Sequence, residues 1–289
     1  MTDFSLLKIA SVERLTPNSV ALSFEIPSEQ VSTFRFSAGQ YITIKKVISN
    51  QEVRRAYSIS SAPSSGQLTV GIKKMPNGTF STYANENISE GDVLEVMPPE
   101  GRFVFEHSGT PKTVAAFAAG SGITPIMSIA QTVLESHDEN KFVLVYGNQS
   151  PEETMYRDDL LQLQKEYNER FFIEWAYSRR NEADCLFGRI ENATVNLVLK
   201  NKFNTLDFDA FYLCGPEQMI NTVSNSLKDN GVPEEQILFE LFTSADTDAK
   251  VTENLNGQTK VTVVLDDEEQ DFTMNQQELL LDAVLKHNI

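Results

Sequence analysis

"TVAAFAAGSGITPIMSIAQTVLESH", residues 113–137, joins a continuous apolar run to a segment with helical spacing. An apolar run without alternation is a strand buried on both faces, and here it ends at Ala119. Gly120, Ser121 and Gly122 follow, and a helix begins near Pro125, with Thr124 as its N-cap and proline as a helix-starting residue. Small residues at such a junction let backbone N–H groups approach an anion where the helix dipole favours negative charge. An ordinary tight turn explains Gly-Ser-Gly equally well when it is taken alone. The stretch is not the dinucleotide fingerprint G-x-G-x-x-G.

Downstream, "KFVLVYGN", "DDLLQLQKEYNE", "RFFIEWAYS", "VNLVLKNK", "AFYLCGP", "EQMINTVSNSLKDNG" and "ILFELF" continue the same alternation. Apolar strands alternating with amphipathic helices predict a parallel sheet covered on both faces. Upstream the pattern is different. "SLLKIASVERL", "SVALSFEIP", "QYITIKKV", "RRAYSIS", "GQLTVGIKK" and "GDVLEVMPP" are short, rich in Val, Ile and Tyr, and separated by turn residues. With one helix-like insert, "STYANENI", they predict a small antiparallel barrel of six strands. The expected boundaries are 1–108 for the barrel and 109–242 for the α/β domain. Residues 243–258 are polar and without period, and read as a linker. In 259–289, "TKVTVVLDD" and "EEQDFTMN" read as a hairpin and "QQELLLDAVLKHNI" as a helix.

Composition narrows the class. A net charge of −17 argues against general nucleic-acid binding. No run approaches the ~18 apolar residues of a membrane helix. The start lacks a basic region followed by an apolar stretch, so no signal peptide is expected, and a reduced, cytoplasmic setting follows. Cys185 and Cys214 are too few for a disulfide framework or a thiolate metal site.

Candidate binding residues gather at strand ends, where open α/β sheets bind ligands. The strand ending at Asn148 offers no carboxylate for an adenosine ribose. The next ends in Tyr177, Ser178, Arg179 and Arg180, which suit a 2′-phosphate and hence NADPH over NADH; solvated surface arginines are the plain alternative. Cys214, Gly215 and Pro216 end another strand, where the cysteine either faces a cofactor or packs the core. In the barrel, Pro76, Asn77 and Gly78 precede Ser81 and Thr82, which open a short helix whose N-terminus suits phosphate or is simply capped.

Together these residues resemble the ferredoxin–NADP reductase superfamily over residues 1–242. The resemblance rests on R-x-Y-S at Arg55–Ser58, G-x-x-S-T at Gly78–Thr82, G-x-G-x-T-P at Gly120–Pro125 and C-G-P at Cys214–Pro216, in the family's order. It implies that Arg55 pairs with the pyrophosphate of FAD, with Ala56 beside it in the same strand. Tyr57 is implied to pack on the isoalloxazine, and Ser58 to hydrogen-bond the ring nitrogen that accepts hydride. Ile72, Lys73 and the turn of Gly78, Phe80, Ser81 and Thr82 would hold the ribityl and pyrophosphate portions. Gly120, Ser121, Gly122, Thr124 and Pro125 would receive the nicotinamide nucleotide, and Ser178 and Arg179 its 2′-phosphate. Cys214, followed by Gly215 and Pro216, would lie beside the nicotinamide carbon. Glu240 would lie near the flavin, with Phe242 covering it. Ser58, Cys214 and Glu240 are therefore the catalytic candidates, and no metal ligand is expected.

"MPPEGRF" at 97–103 and the segment after the linker look like the reductase components of bacterial multicomponent oxygenases, of the phenylacetyl-CoA epoxidase and ketosteroid hydroxylase types. In those proteins the last segment opens a plant-type ferredoxin domain of β-grasp fold. Its two-iron cluster is therefore expected only if the chain continues past residue 289, as truncation of a longer chain implies. The expected activity is hydride transfer from NADPH to FAD, then single electrons to an iron–sulfur centre, ferredoxin or oxygenase component, in phenylacetyl-CoA catabolism. A flavin-binding sensor or regulatory subunit of the same fold is the alternative, and a flavin-free assembly subunit a further one.

Overall fold

The structure, a computed structural model, describes residues 4–106, 109–242, 257–265, 268–275 and Ala283. Met1–Phe242 forms one compact unit and Thr243–Ile289 another. Most of the expected linker, and the expected final helix apart from Ala283, lie outside the described residues. In the second unit, β13 (Gln258–Leu265) and β14 (Glu268–Asn275) form the expected antiparallel hairpin.

The first unit opens with six strands, β1 (Ser5–Thr16), β2 (Ser19–Glu25), β3 (Tyr41–Ile48), β4 (Gln51–Ser58), β5 (Leu68–Lys73) and β6 (Val93–Val96). They form one antiparallel sheet in the order β4-β3-β6-β1-β2-β5. An antiparallel bridge between Ile59 and Val70, with Ser60 N–H donating to Thr69 O at 2.8 Å, joins the two ends. The sheet thus curls until its end strands meet, and alternate residues fill the interior: Leu7, Ile9, Leu22, Ile42, Ile44 and Val70 are almost completely buried. The insert forms helix α1 (Thr79–Glu86). Asn85 holds it against the barrel, its amide nitrogen donating to Ile72 O and Ser81 O while Arg14 donates to its side-chain oxygen.

The second half is a parallel sheet of β7 (Thr113–Ala119), β8 (Lys141–Asn148), β9 (Phe171–Tyr177), β10 (Leu186–Phe187), β11 (Ala210–Gly215) and β12 (Ile237–Leu241), in the order β10-β9-β8-β7-β11-β12. Helices α2 (Ile123–Ser136), α3 (Arg157–Glu166), α4 (Asn192–Asn196) and α5 (Glu217–Asp229) cross over it. Beyond β10 the chain returns to the other side of β7, so the strand order switches between β7 and β11. A crevice opens outside the carboxyl ends of strands at such a point.

Helix α2 starts at Ile123, two residues before the expected Pro125, because Gly120–Gly122 winds into a 3₁₀ turn that runs directly into it. Thr124 is therefore not the N-cap: from inside the first turn its hydroxyl donates to Ser121 O at 3.0 Å. Helix α1 likewise starts before Ser81 and Thr82. Ser81 Oγ instead accepts Met75 N–H at 3.1 Å and closes the preceding turn. The segment "VNLVLKNK" runs from α4 into a π-helical stretch, Leu197–Lys202, whose Lys202 Nζ reaches Glu174 at 2.6 Å.

Barrel and sheet share a packed seam. The rings of Phe103 and Tyr212 meet edge to face at 5.3 Å, and Tyr212 OH donates to Val104 O at 3.0 Å. Ser128 on α2 donates to Ser61 O at 2.7 Å.

Candidate functional site

The seam brings the chemistry-bearing residues to the carboxyl ends of β7 and β11. On the barrel side, β4 presents Arg55, half-buried, with Nη1 donating to Arg54 O at 2.8 Å, then exposed Ala56. Tyr57 is half-buried, its ring 5.6 Å from that of Phe80. Phe80 itself is fully buried in the barrel core, so its ring supports Tyr57 and only its backbone belongs to the α1 N-terminus. In the turn before that helix, Asn77 has φ +62°. A β-carbon at Gly78 would overlap Ser81 Oγ, so the fold there requires glycine. The first turn leaves the amides of Phe80 and Ser81 outside the helical ladder, as donors suited to an anion. Ile72 is buried; Lys73, next to it, extends its Nζ toward Gly120 across the seam.

On the sheet side, Gly120 has φ +56°, and a β-carbon there would meet nothing nearer than Lys73 Nζ at 3.9 Å. Open space thus lies beside this glycine. Gly122 is the opposite case: a β-carbon would overlap the carbonyl of Cys214, so this turn lies directly on the β11 backbone. Cys214 is fully buried, in register with Ala118 of β7 on one side and Glu240 of β12 on the other. Gly215 and Pro216 lead from it into α5.

At this junction a hydrogen bond joins a barrel strand to a sheet strand. Ser58 Oγ donates to Glu240 Oε2 at 3.1 Å. Burial pushes the Glu240 carboxyl up to about 7, against the pull of the Ser58 hydroxyl. Burial also pushes the Cys214 thiol well above its ordinary value, and the neighbouring Glu240 adds to this. A partly buried carboxyl that titrates near neutrality takes up or releases a proton at little cost. The thiol stays protonated.

Ser58, Cys214, Glu240 and the Gly120–Pro125 turn are thus together. Ser178 and Arg179 are not. They follow β9, two strands from β7, where Ser178 N–H donates to Asn148 O at 3.0 Å and Arg179 N–H to Gln149 O at 2.9 Å. Arg179 is exposed and, among the described residues, its side chain has no ion-pair partner. Between the two places lies Asn148, whose buried side-chain nitrogen and oxygen have no hydrogen-bond partner among the described residues. Phe242, half-exposed, ends the first unit.

Sequence reasoning missed Tyr156, Ser60 and Gly71 at the seam. Tyr156 OH is 2.8 Å from Ser60 Oγ, and a β-carbon at Gly71 would meet that hydroxyl at 2.7 Å. The glycine inside the β5 pattern was the available signal, since glycine within a strand marks a close approach.

The residues fit a flavin dinucleotide. An aromatic ring backed by Phe80, a guanidinium on the same strand, a helix N-terminus with free amides and a serine beside a neutralisable carboxyl match a ring with a pyrophosphate tail. The open space at Gly120 and the orphaned amide of Asn148 leave room and polar capacity for a second nucleotide across the sheet.

Comparisons with known proteins agree. Residues 6–105 match the oxidoreductase FAD-binding domain, and residues 117–225 the oxidoreductase NAD-binding domain. The chain is similar to a component of the 1,2-phenylacetyl-CoA epoxidase of Escherichia coli (strain K12), with 34% identity over 99% of this chain and 82% of that protein. It is 29% identical to the ferredoxin reductase component of 3-ketosteroid-9-alpha-monooxygenase from Rhodococcus rhodochrous, over 84% of this chain and 66% of that one. Among solved structures, a ferredoxin NADP+ reductase from Neisseria gonorrhoeae with bound FAD and NADP has the same fold. Its TM-score is 0.69 at 22% identity, over 83% of this chain and 99% of that one.

Proposed function

The chain belongs to the ferredoxin–NADP reductase family of FAD- and NAD-binding oxidoreductases, and from that premise we propose that it oxidises NADPH on FAD and passes single electrons to an oxygenase partner. As an NAD(P)H-dependent flavin oxidoreductase it is of the type that serves oxygenases as a reductase component. The observation that carries the reading is the Ser58–Glu240 hydrogen bond, set beside Cys214 where the barrel meets the switch point of the parallel sheet.

When bound, FAD supplies the two-electron to one-electron conversion that side chains cannot perform. The protein's part is to bind, orient and exclude water. Arg55 would pair with the pyrophosphate and the Gly78–Thr82 turn would donate amides to it, while Tyr57, backed by Phe80, would pack on the ring. Ser58 Oγ would hold one edge of the ring. Glu240 would keep its carboxyl proton up to about neutral pH, so a change of charge on the ring could be balanced there. Cys214 and the tightly packed Gly122 would form a floor for the nicotinamide, with Thr124 beside them. Hydride transfer requires the two rings in near contact, and a floor built of backbone and a small buried thiol permits that approach.

NADPH is the proposed nucleotide because Ser178 and Arg179 follow the strand at whose end the adenosine end would lie. A guanidinium there would pair with a 2′-phosphate. The acceptor is read from the relatives: an oxygenase component or a ferredoxin, in phenylacetyl-CoA catabolism.

Anaerobic titration of the purified, FAD-loaded protein tests this. NADPH should bleach the flavin absorbance stoichiometrically and at lower concentration than NADH. Yellow protein that NADPH leaves unbleached would indicate a flavin-binding sensor instead. Protein that takes up no flavin would overturn both readings.

A further inference from the structure

Tyr156 precedes α3 with φ +56°, in the left-handed region that a bulky aromatic residue rarely adopts. Such a conformation is strained and persists only where surrounding contacts hold it. Here the contacts cross the seam. The residue is 8% exposed, and its hydroxyl lies 2.8 Å from Ser60 Oγ. Ser60 Oγ in turn donates to Thr69 O at 3.2 Å, which leaves the tyrosine as the donor to Ser60. On β5, the space a β-carbon of Gly71 would fill is taken jointly by Tyr156 Oη, 2.7 Å away, and Thr124 Cγ2, 2.8 Å away.

The positions of these partners matter. Ser60 lies two residues beyond Ser58 on the barrel side, and Thr124 is part of the turn at the sheet's switch point. Tyr156 therefore touches the chain next to each half of the junction without entering it. We propose that Tyr156 is a positioning residue: through Ser60 and the Gly71 socket it fixes the separation of Ser58 from the Gly120–Pro125 turn, and so the distance across which hydride passes. This rests on the reading of that junction as the meeting place of nicotinamide and flavin.

A misplacement of about 1 Å is enough to slow a positioned reaction by up to ~100-fold. Tyr156→Phe removes only the hydroxyl, and Ser60→Ala removes its acceptor from the other side. In full-length, FAD-loaded protein at saturating NADPH, each substitution should slow anaerobic flavin reduction about tenfold or more. Dissociation constants for FAD and NADPH should stay within about twofold, and the double variant should be no slower than either single one, since both break one interaction. A structural contact alone would instead lower thermal stability and leave the reduction rate in place.

The second readout needs no cofactor. In FAD-free protein, backbone amides of residues 69–71 and 120–125 should exchange with deuterium faster in both variants than in wild type. A reduction rate within twofold of wild type, or unchanged exchange at these amides, overturns the proposal. If Tyr156→Phe fails to fold, Ser60→Ala decides alone. Wild-type FAD that NADPH does not bleach overturns the functional reading instead, and the proposal with it.

Discussion

Glu240 has an ordinary carboxylate value of 4.5 in the unfolded chain and about 7 in the folded one, because burial penalises its charge. Between those values the folded state holds the extra proton. The stabilisation is complete below about pH 4.5 and is lost as pH rises through 7. The full shift corresponds to roughly 3 kcal/mol, and partial solvent access reduces this to about 1–2 kcal/mol. In FAD-free protein, Glu240→Gln should therefore melt close to wild type at pH 4.5 and a few degrees higher at pH 8, about 2–4 °C per kcal/mol. A melting difference that does not change with pH would mean that this carboxyl titrates normally. Cys214 asks a second question at the same scale, since it is fully buried and shares a core cluster with Ile123 and Met127. If it positions the nicotinamide, Cys214→Ala slows flavin reduction about tenfold, or ~1.4 kcal/mol of barrier. NADPH affinity should then change far less. A normal reduction rate with a large loss of stability would make it a core residue only.

At the scale of the element, the β7–α2 turn contains two glycines with opposite demands. Gly122 has no room, since a β-carbon would overlap the Cys214 carbonyl, which as backbone cannot move aside. Gly122→Ala should cost about 3 kcal/mol or more and lower the melting point by ~6–12 °C. Gly120 has room but a φ of +56°, so Gly120→Ala should cost only about 1 kcal/mol. Its methyl group would still project into the space proposed for the nucleotide, and so should weaken NADPH binding more than stability. Equal melting losses in the two variants, measured by calorimetry, would contradict this account of the turn.

For the whole first unit, the seam decides cooperativity. The contacts of Phe103 with Tyr212, Ser128 with Ser61, and Tyr156 with Ser60 tie barrel to sheet through buried groups. Residues 1–242 should therefore unfold in one thermal transition, and FAD should raise its midpoint. At a free concentration one hundred times the dissociation constant, the shift is worth ~2.7 kcal/mol, or about 5–10 °C. Two transitions, only one of them moved by FAD, would show that the halves unfold independently.

The strands of both halves, the turn residues between them and the order of the motifs were legible in the chain itself, because each depends on neighbours a few positions away. Alternation set the barrel strands, continuous apolar runs set the parallel ones, and Arg55–Ser58, Gly78–Thr82 and Cys214–Pro216 carried their chemistry in adjacent residues. The starts of α1 and α2 were misjudged, because Ser81 and Thr124 spend their hydroxyls on turn carbonyls and amides rather than on capping. The two-residue strand β10 is too short to carry a period. What only the tertiary structure decided are the contacts that make a site. Ser58 and Glu240 stand 182 positions apart and Ser60 and Tyr156 stand 96 apart, yet each pair shares a hydrogen bond. Such pairs arise from how a closed barrel docks on a sheet at its switch point. No local pattern encodes that docking, since its energy comes from surfaces that exist only after both halves have folded.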